Sequence, residues 1–317
     1  MSPNATTTRL APSPTGALHL GNLRTFLVNY LLARANGWRV LMRIEDLDGP
    51  RVKAESAAQI LEELAWLGLD WEEPVVHQSQ RAEHYREALE HLAKAGHAYP
   101  CVCSRKDIEQ AASAPHRGEH EVAYAGTCCN RYATAQQAQA ATGRPAAWRV
   151  RTHPQPIVVR DEFAGEHQFD LAGLCGDFVI FKNDGLAAYQ LAVVIDDAAA
   201  GVDAIVRGDD LLDSAARQIH LRSLLGLGQG VRYWHLPLVI GPDGKRLAKR
   251  HGDTRLSHYR HLGATPQRVL GLLGHWCGLL EARRECDLAE LLAGFDLSRL
   301  PPEPVVFAAE DDQFLRG

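Results

Sequence analysis

The sequence predicts an α/β protein built on a doubly wound parallel sheet, interrupted by a cysteine-bearing insertion and closed by a small helical C-terminal domain. Three observations predict it. Short apolar runs alternate with amphipathic helical stretches over residues 7–95 and again over 178–241. Residues 101–175, between them, shift to Cys, His, Ala, Gln and Pro with weak periodicity, and after residue 255 the pattern is helical alone. The expected boundaries are therefore 1–100 and 176–255 for the two halves of the sheet domain, 101–175 for the insertion and 256–317 for the helical end.

Taken in order, residues 7–13 read as a strand and 22–35 as a helix. Leu23, Phe26, Leu27, Tyr30 and Leu31 recur at helical spacing on that helix, and Asn36-Gly37 stops it. Residues 38–44 (WRVLMRI) complete a βαβ start. Amphipathic helices follow at 54–67 and 80–95, burying Ile60, Leu61 and Leu64 in the first and Tyr85, Leu89 and Leu92 in the second. FVIFK (178–182), YQLAVVID (189–196) and DAIVRG (203–208) read as strands, 211–226 as a helix, HLPLVIG (235–241) as a strand and 265–280 as a helix. A sheet of this kind takes its ligand outside the carboxyl ends of its strands.

With 317 residues, 46% hydrophobic and 23% charged, the chain can fill the cores of two or three domains. A formal net charge of −5 requires that any nucleic-acid partner be met by a local basic face. No apolar run reaches membrane-spanning length, and the start MSPNATTTR lacks the charged-then-apolar pattern of a secretory signal, so a cytoplasmic protein is expected, with no membrane partner. The seven cysteines are too few and too uneven for a disulfide framework. Cys101-Val102-Cys103 and Cys128-Cys129 instead suit a tetrahedral zinc ion, against the plainer reading of reduced, half-buried thiols.

Two stretches carry chemistry. In RLAPSPTGALHLGNLRT (9–25), Gly21 lies at a helix start, where unpaired N–H groups and the helix dipole favour a phosphate. His19 sits where it can donate to a phosphate or ribose oxygen and stabilise charge growing in a displacement. An isolated His-x-Gly reads equally as a strand-to-helix turn. In LVIGPDGKRLAKRHGD (238–253), Lys245, Arg246, Lys249 and Arg250 crowd a glycine-flanked loop, either as a solvated surface or to neutralise a triphosphate. The loop lacks the spacing and the Ser or Thr of a Walker motif.

The first stretch resembles the HIGH-type signature of class I aminoacyl-tRNA synthetases in its glutamyl form, as His19-Leu20-Gly21-Asn22, and RIEDLDGPR (43–51) resembles the RxEDTD segment that follows it. The second is similar to the KMSKS loop, with Arg246-Leu247-Ala248-Lys249-Arg250 in its place and Ala248 where serine is usual. Two signatures in order, about 230 residues apart, are far more specific than either alone.

The resemblance implies a Rossmann-like catalytic domain and ATP-dependent glutamate activation, with magnesium accompanying ATP. It implies catalytic roles for His19, Gly21 and Lys249, with Asn22 beside them at ATP. It further implies a glutamate pocket of Arg9, Ala11, Ser13, Glu45, Tyr189 and Arg207, in which Glu45 faces the ammonium and arginines, whose planar forks suit carboxylates, hold the acid groups. Singly, Glu45 and Arg207 read as strand-end charges and Tyr189 as a core aromatic. For the metal the resemblance implies a structural zinc on Cys101, Cys103, Tyr124 and Cys128, with Cys129, His116 or His120 as alternatives to Tyr124.

Only 67 residues follow Arg250, too few for a further anticodon-binding domain. The chain is thus expected to resemble the shortened, monomeric branch that transfers glutamate to queuosine in the anticodon loop of tRNA(Asp). The alternatives are a truncated enzyme charging the 3′ end of tRNA(Glu) and a non-catalytic relative that binds RNA or an amino acid.

Overall fold

In the computed structural model, residues 5–14, 17–47, 54–111, 123–228, 230–245, 247 and 252–317 are described. The chain opens with β1 (Thr7–Leu10), α1 (Leu20–Ala35), β2 (Arg39–Ile44), α2 (Ala54–Trp66), β3 (Glu72–His77) and α3 (Ala82–Lys94). The strands β1, β2 and β3 pair in parallel, with Thr7 opposite Arg39 and Leu10 opposite Met42. The βαβ start is as expected. Helix α1 is buried on nearly every side, including Arg24 and Asn29, and Gly37 adopts a φ of 66° where the chain turns back.

The middle of the chain holds β4 (Ala98–Cys101), α4 (Arg105–Ala111), α5 (Ala135–Thr142), β5 (Ala147–Val150), β6 (Ile157–Asp161), β7 (Gly165–Phe169), α6 (Leu171–Leu174) and β8 (Phe178–Phe181). The segment expected as one insertion contributes to two sheets. β4, β5 and β8 form an antiparallel sheet, so β8, expected in the main sheet, stands here. The β6–β7 hairpin instead joins the parallel body, where β6 pairs with a later strand.

The frame then continues through α7 (Tyr189–Ala199), β9 (Ala204–Gly208), α8 (Leu212–Leu224), β10 (Arg232–Leu236) and β11 (Val239–Ile240). Residues 189–196 are helical, which corrects the expected strand. Gln190 to Val194, Asp196 and Asp197 are all buried, and a helix covered all round has the same continuous apolar run as a buried strand. β9 pairs in parallel with β10, which pairs with β6. Beside β9 lies β1: Asp203 N donates to Thr7 O at 3.1 Å, and Thr7 N to the Asp203 carboxylate at 2.8 Å. The resulting strand order, β3-β2-β1 then β9-β10-β6, puts the reversal of winding between β1 and β9. Ligands of doubly wound sheets bind at that crevice.

The C-terminal part is α9 (Leu256–His261), α10 (Pro266–Trp276), α11 (Leu288–Ala293), β12 (Val305–Val306) and α12 (Ala309–Arg316). Thr265 caps α10 by accepting from Arg268 N at 3.1 Å, ahead of Pro266 in the first turn. These helices pack on α1, so one core runs from the first strand to Leu315. A second core joins α3, α7 and α8, and a small third one surrounds the cysteines. Among the described residues, no helix is long and apolar enough to cross a membrane.

Candidate active site

A cavity of about 300 Å³ opens at the crevice between β1 and β9. Arg9 and Ala11 line it from the end of β1, Glu45 from just past β2, and Arg207 and Gly208 from the end of β9. His19, Gly21 and Asn22 come from the start of α1 and Tyr189 from the start of α7. Thr25, Asp210 and Val239 line it too, none of them singled out from sequence, as does Phe26, expected on the apolar stripe of α1. Ser13 is exposed and does not line it. Lys249 lies outside the described residues, as do Arg246, Ala248, Arg250, His116, His120 and residues 48–51.

His19 is the N-cap of α1, and its Nδ1 accepts from Asn22 N at 3.4 Å. With Nδ1 as acceptor, the neutral ring carries its proton on Nε2, where it can be donated. A Cβ on Gly21 would meet the His19 ring at 3.2–3.3 Å. Glycine therefore leaves the imidazole seated and the helix N-terminus open to a phosphate. Leu18 O accepts from Leu256 N at 2.9 Å and Leu20 N donates to Thr254 O at 3.0 Å, so this turn is tied to the segment following the basic loop.

Arg9 is buried and anchored through Nε to Asp197 at 3.2 Å. Arg43 bridges the same aspartate to Glu45, its Nη2 donating to Glu45 Oε1 at 3.0 Å. Burial raises the Glu45 pKa, while the Arg43 and Arg9 charges oppose the rise. Asp197 stays lowered despite its burial, because both arginines face it. Asp197 and Arg43 were not assigned as site residues from sequence. The signal lay in the acid pair closing YQLAVVIDD, which two strand arginines must neutralise once it is buried. Asp196, the other member, accepts from Gln78, Arg81 and Tyr85 at 2.5–2.8 Å and fixes α3 to α7.

Arg207 is buried as well. Its Nε donates to His235 Nε2 at 2.9 Å and its Nη1 to Gln218 Oε1 at 2.9 Å, whereas Nη2 is buried with no partner among the described residues. An unpaired buried donor costs about 1–3 kcal/mol. The cavity therefore offers arginine donors and a carboxylate at one side and a helix N-terminus with an imidazole at the other, an arrangement suited to an amino acid beside a nucleotide.

A separate cluster lies at the end of β4, where the chain leaves the antiparallel sheet. The Sγ atoms of Cys101, Cys103 and Cys128 are within 4.8 Å of one another and could hold a metal ion. Tyr124 Oη stands 3.3 Å from Cys101 Sγ and 3.7 Å from Cys103 Sγ, and Cys103 and Cys128 are 3.5 Å apart. Ligands about 2.3 Å from a tetrahedral zinc are roughly 3.7 Å from each other, so this donor set fits the ion. Cys129 is turned away: its Sγ accepts from Arg151 Nη1 at 2.6 Å. Arg149 donates from Nε to Cys101 Sγ at 3.3 Å and lies over the Tyr124 ring at 3.8 Å, placing a cation beside the sulfurs. In the metal-free chain, burial and the neighbouring sulfurs push the Cys103 thiol up to about 12.

Tyr124 reaches the cluster because its backbone crosses Gly176, which has a φ of 64°. A Cβ at Gly176 would sit 2.2 Å from Tyr124 O. Gly176→Ala is expected to cost about 2–4 kcal/mol, from the left-handed backbone together with the displaced Tyr124 strand. Thermal unfolding with parallel zinc analysis checks this, the expected result being a lowered Tm and substoichiometric zinc.

The comparisons agree with this architecture. The family profile described as "tRNA synthetases class I (E and Q), catalytic domain" matches residues 5–310. A relative from Symbiobacterium thermophilum named "Glutamyl-Q tRNA(Asp) synthetase" is 45% identical over 98% of both chains, and one of the same name from Nocardia farcinica is 47% identical over 93% of this chain and 91% of its own. The crystal structure of a glutamate tRNA ligase from Elizabethkingia meningosepticum, in complex with its amino acid, superposes with a TM-score of 0.80 at 27% identity, covering 98% of this chain and 69% of that one. The chain belongs to the class I tRNA synthetases of the E and Q type, and is a ligase of the aminoacyl-tRNA synthetase kind.

Proposed function

We propose that the chain activates L-glutamate with ATP and transfers it to the queuosine base in the anticodon loop of tRNA(Asp). The observation that carries the first step is the cavity at the crevice, whose lining brings together Arg9, Arg207, Glu45 and His19. Arg9 and Arg207 would take the two substrate carboxylates and Glu45 the ammonium, with Tyr189 and Ala11 as walls. An oxygen of the α-carboxylate attacks the α-phosphorus of ATP, the bond to the bridging oxygen breaks, and pyrophosphate leaves with its magnesium. His19 Nε2 and the N–H of Gly21 would stabilise the transferring phosphate, with Asn22 beside them at ATP, joined by Lys249. A hydroxyl of the queuosine cyclopentenediol then attacks the glutamyl carbonyl, loses its proton to solvent and expels AMP. Ser13, expected in the glutamate pocket, is exposed outside the cavity lining and is given no part in this scheme.

Zinc, when bound to Cys101, Cys103, Tyr124 and Cys128, supplies a structural crosslink of the antiparallel sheet and no reacting group. Magnesium belongs to the ATP. The protein is read as a cytoplasmic monomer.

The choice of acceptor is supported by the relatives named "Glutamyl-Q tRNA(Asp) synthetase", 45–47% identical and matched over 91–98% of their own length, against 36–40% identity and 64–66% of the length for two relatives named glutamate–tRNA ligases. The test is to charge tRNA(Asp), with and without queuosine, using radiolabelled glutamate and then digest the product. Label in the anticodon loop that requires queuosine is expected. Label on the terminal adenosine of tRNA(Glu) would replace this reading with that of an ordinary charging enzyme. Absence of glutamate-dependent ATP–pyrophosphate exchange, with or without tRNA, would leave only a binding protein.

A further inference from the structure

We propose that Asp161 and His235 are positioning residues, a buried pair that fixes the guanidinium of Arg207 at the lining of the cavity and so sets the selectivity for a carboxylate-bearing substrate. The inference rests on the reading of Arg207 as a partner of glutamate. Arg207 and His235 are register neighbours on the parallel strands β9 and β10, which puts their side chains on one face. His235 Nδ1 is 2.6 Å from Asp161 Oδ2 and its Nε2 is 2.9 Å from Arg207 Nε, with all three side chains buried.

The protons in this chain are determined. A carboxylate accepts and a guanidinium donates, so the imidazole must carry its proton on Nδ1 and present a lone pair at Nε2. Only that tautomer serves both neighbours. The Asp161 carboxylate also accepts from the backbone N–H groups of Phe163, Ala164 and His235 at 2.7–3.1 Å. Burial works to raise its pKa, yet the hydrogen bond with the His235 ring and those from the Ala164 and His235 backbone leave it lowered. Burial likewise holds His235 below the ordinary imidazole value, with Arg207 adding to the effect and Asp161 opposing it.

On its other edge Arg207 donates to Gln218, whose Nε2 donates to Gln190 Oε1 at 2.9 Å, and Gln190 Nε2 donates to Ser214 Oγ at 3.0 Å. Two of the guanidinium's nitrogens are thus held at fixed angles, and the plane leaves Nη2 a single direction. Asp161 comes from β6, in the stretch expected as an insertion, so a part of the chain distant from both signatures would govern the pocket.

The variants separate positioning from packing. His235→Gln carries an amide oxygen near the place of Nε2 and keeps an acceptor for Arg207. His235→Asn matches Nδ1 and loses that acceptor. Asp161→Asn offers the ring a donor in place of an acceptor, favouring the wrong tautomer. In ATP–pyrophosphate exchange, Asp161→Asn and His235→Asn are expected to raise the glutamate KM at least about tenfold, with the ATP KM within about twofold, and to narrow the preference for glutamate over glutamine. His235→Gln should recover most of the loss, and side-chain ¹⁵N NMR should show the wild-type His235 proton on Nδ1. Equal changes in both KM values, or no rescue by His235→Gln, would overturn the proposal. Arg207→Lys is the control: if it leaves the glutamate KM unchanged, the pocket reading fails. A large effect there with none at Asp161 or His235 removes the positioning pair alone.

Discussion

Arg207→Ala is expected to lower kcat/KM for glutamate in ATP–pyrophosphate exchange by about 10²–10⁴-fold while changing the ATP KM little. Removing one partner of a buried charge pair costs about 3–5 kcal/mol, and each 1.4 kcal/mol is about tenfold. The same change orphans His235 Nε2 and Gln218 Oε1, both buried, so thermal stability should fall too. Arg207→Lys keeps the charge but cannot satisfy two fixed acceptors and a substrate at once, and should recover only part of the activity. Steady-state kinetics in both substrates checks this. An unchanged glutamate KM in Arg207→Ala would sink the assignment of the pocket.

The second large effect is expected at the cysteines. Cys103→Ala or Cys128→Ala should abolish stoichiometric zinc and lower the unfolding temperature, because the antiparallel sheet carries little core of its own around Tyr99, Tyr124, Tyr132 and Ala138. None of these residues lines the cavity. Glutamate-dependent exchange should therefore survive better than transfer to tRNA. Metal analysis, melting curves and the two assays on one preparation provide the measurement. Full stability and full zinc content in Cys103→Ala would dismiss the cluster as a metal site. Cys129→Ala, which removes only the acceptor of Arg151, is the matching control and should keep its zinc.

The sequence by itself determined the βαβ start, because amphipathic periodicity and the Asn36-Gly37 stop are local signals. It also marked the residues now found around the cavity, since His19, Gly21, Arg9 and Glu45 occur in short stretches whose chemistry is recognisable without coordinates. The helical state of 189–199 was decided by tertiary structure: burial on all sides erases the periodicity that separates a helix from a strand. So was the split of residues 101–175 between two sheets, for weakly patterned strands take their place from the partners they meet. The Arg9–Asp197–Arg43–Glu45 chain and the Asp161–His235–Arg207 line join residues as many as 188 positions apart. Their meaning depends on which donor faces which acceptor inside a dry interior, a property that only the packed fold possesses.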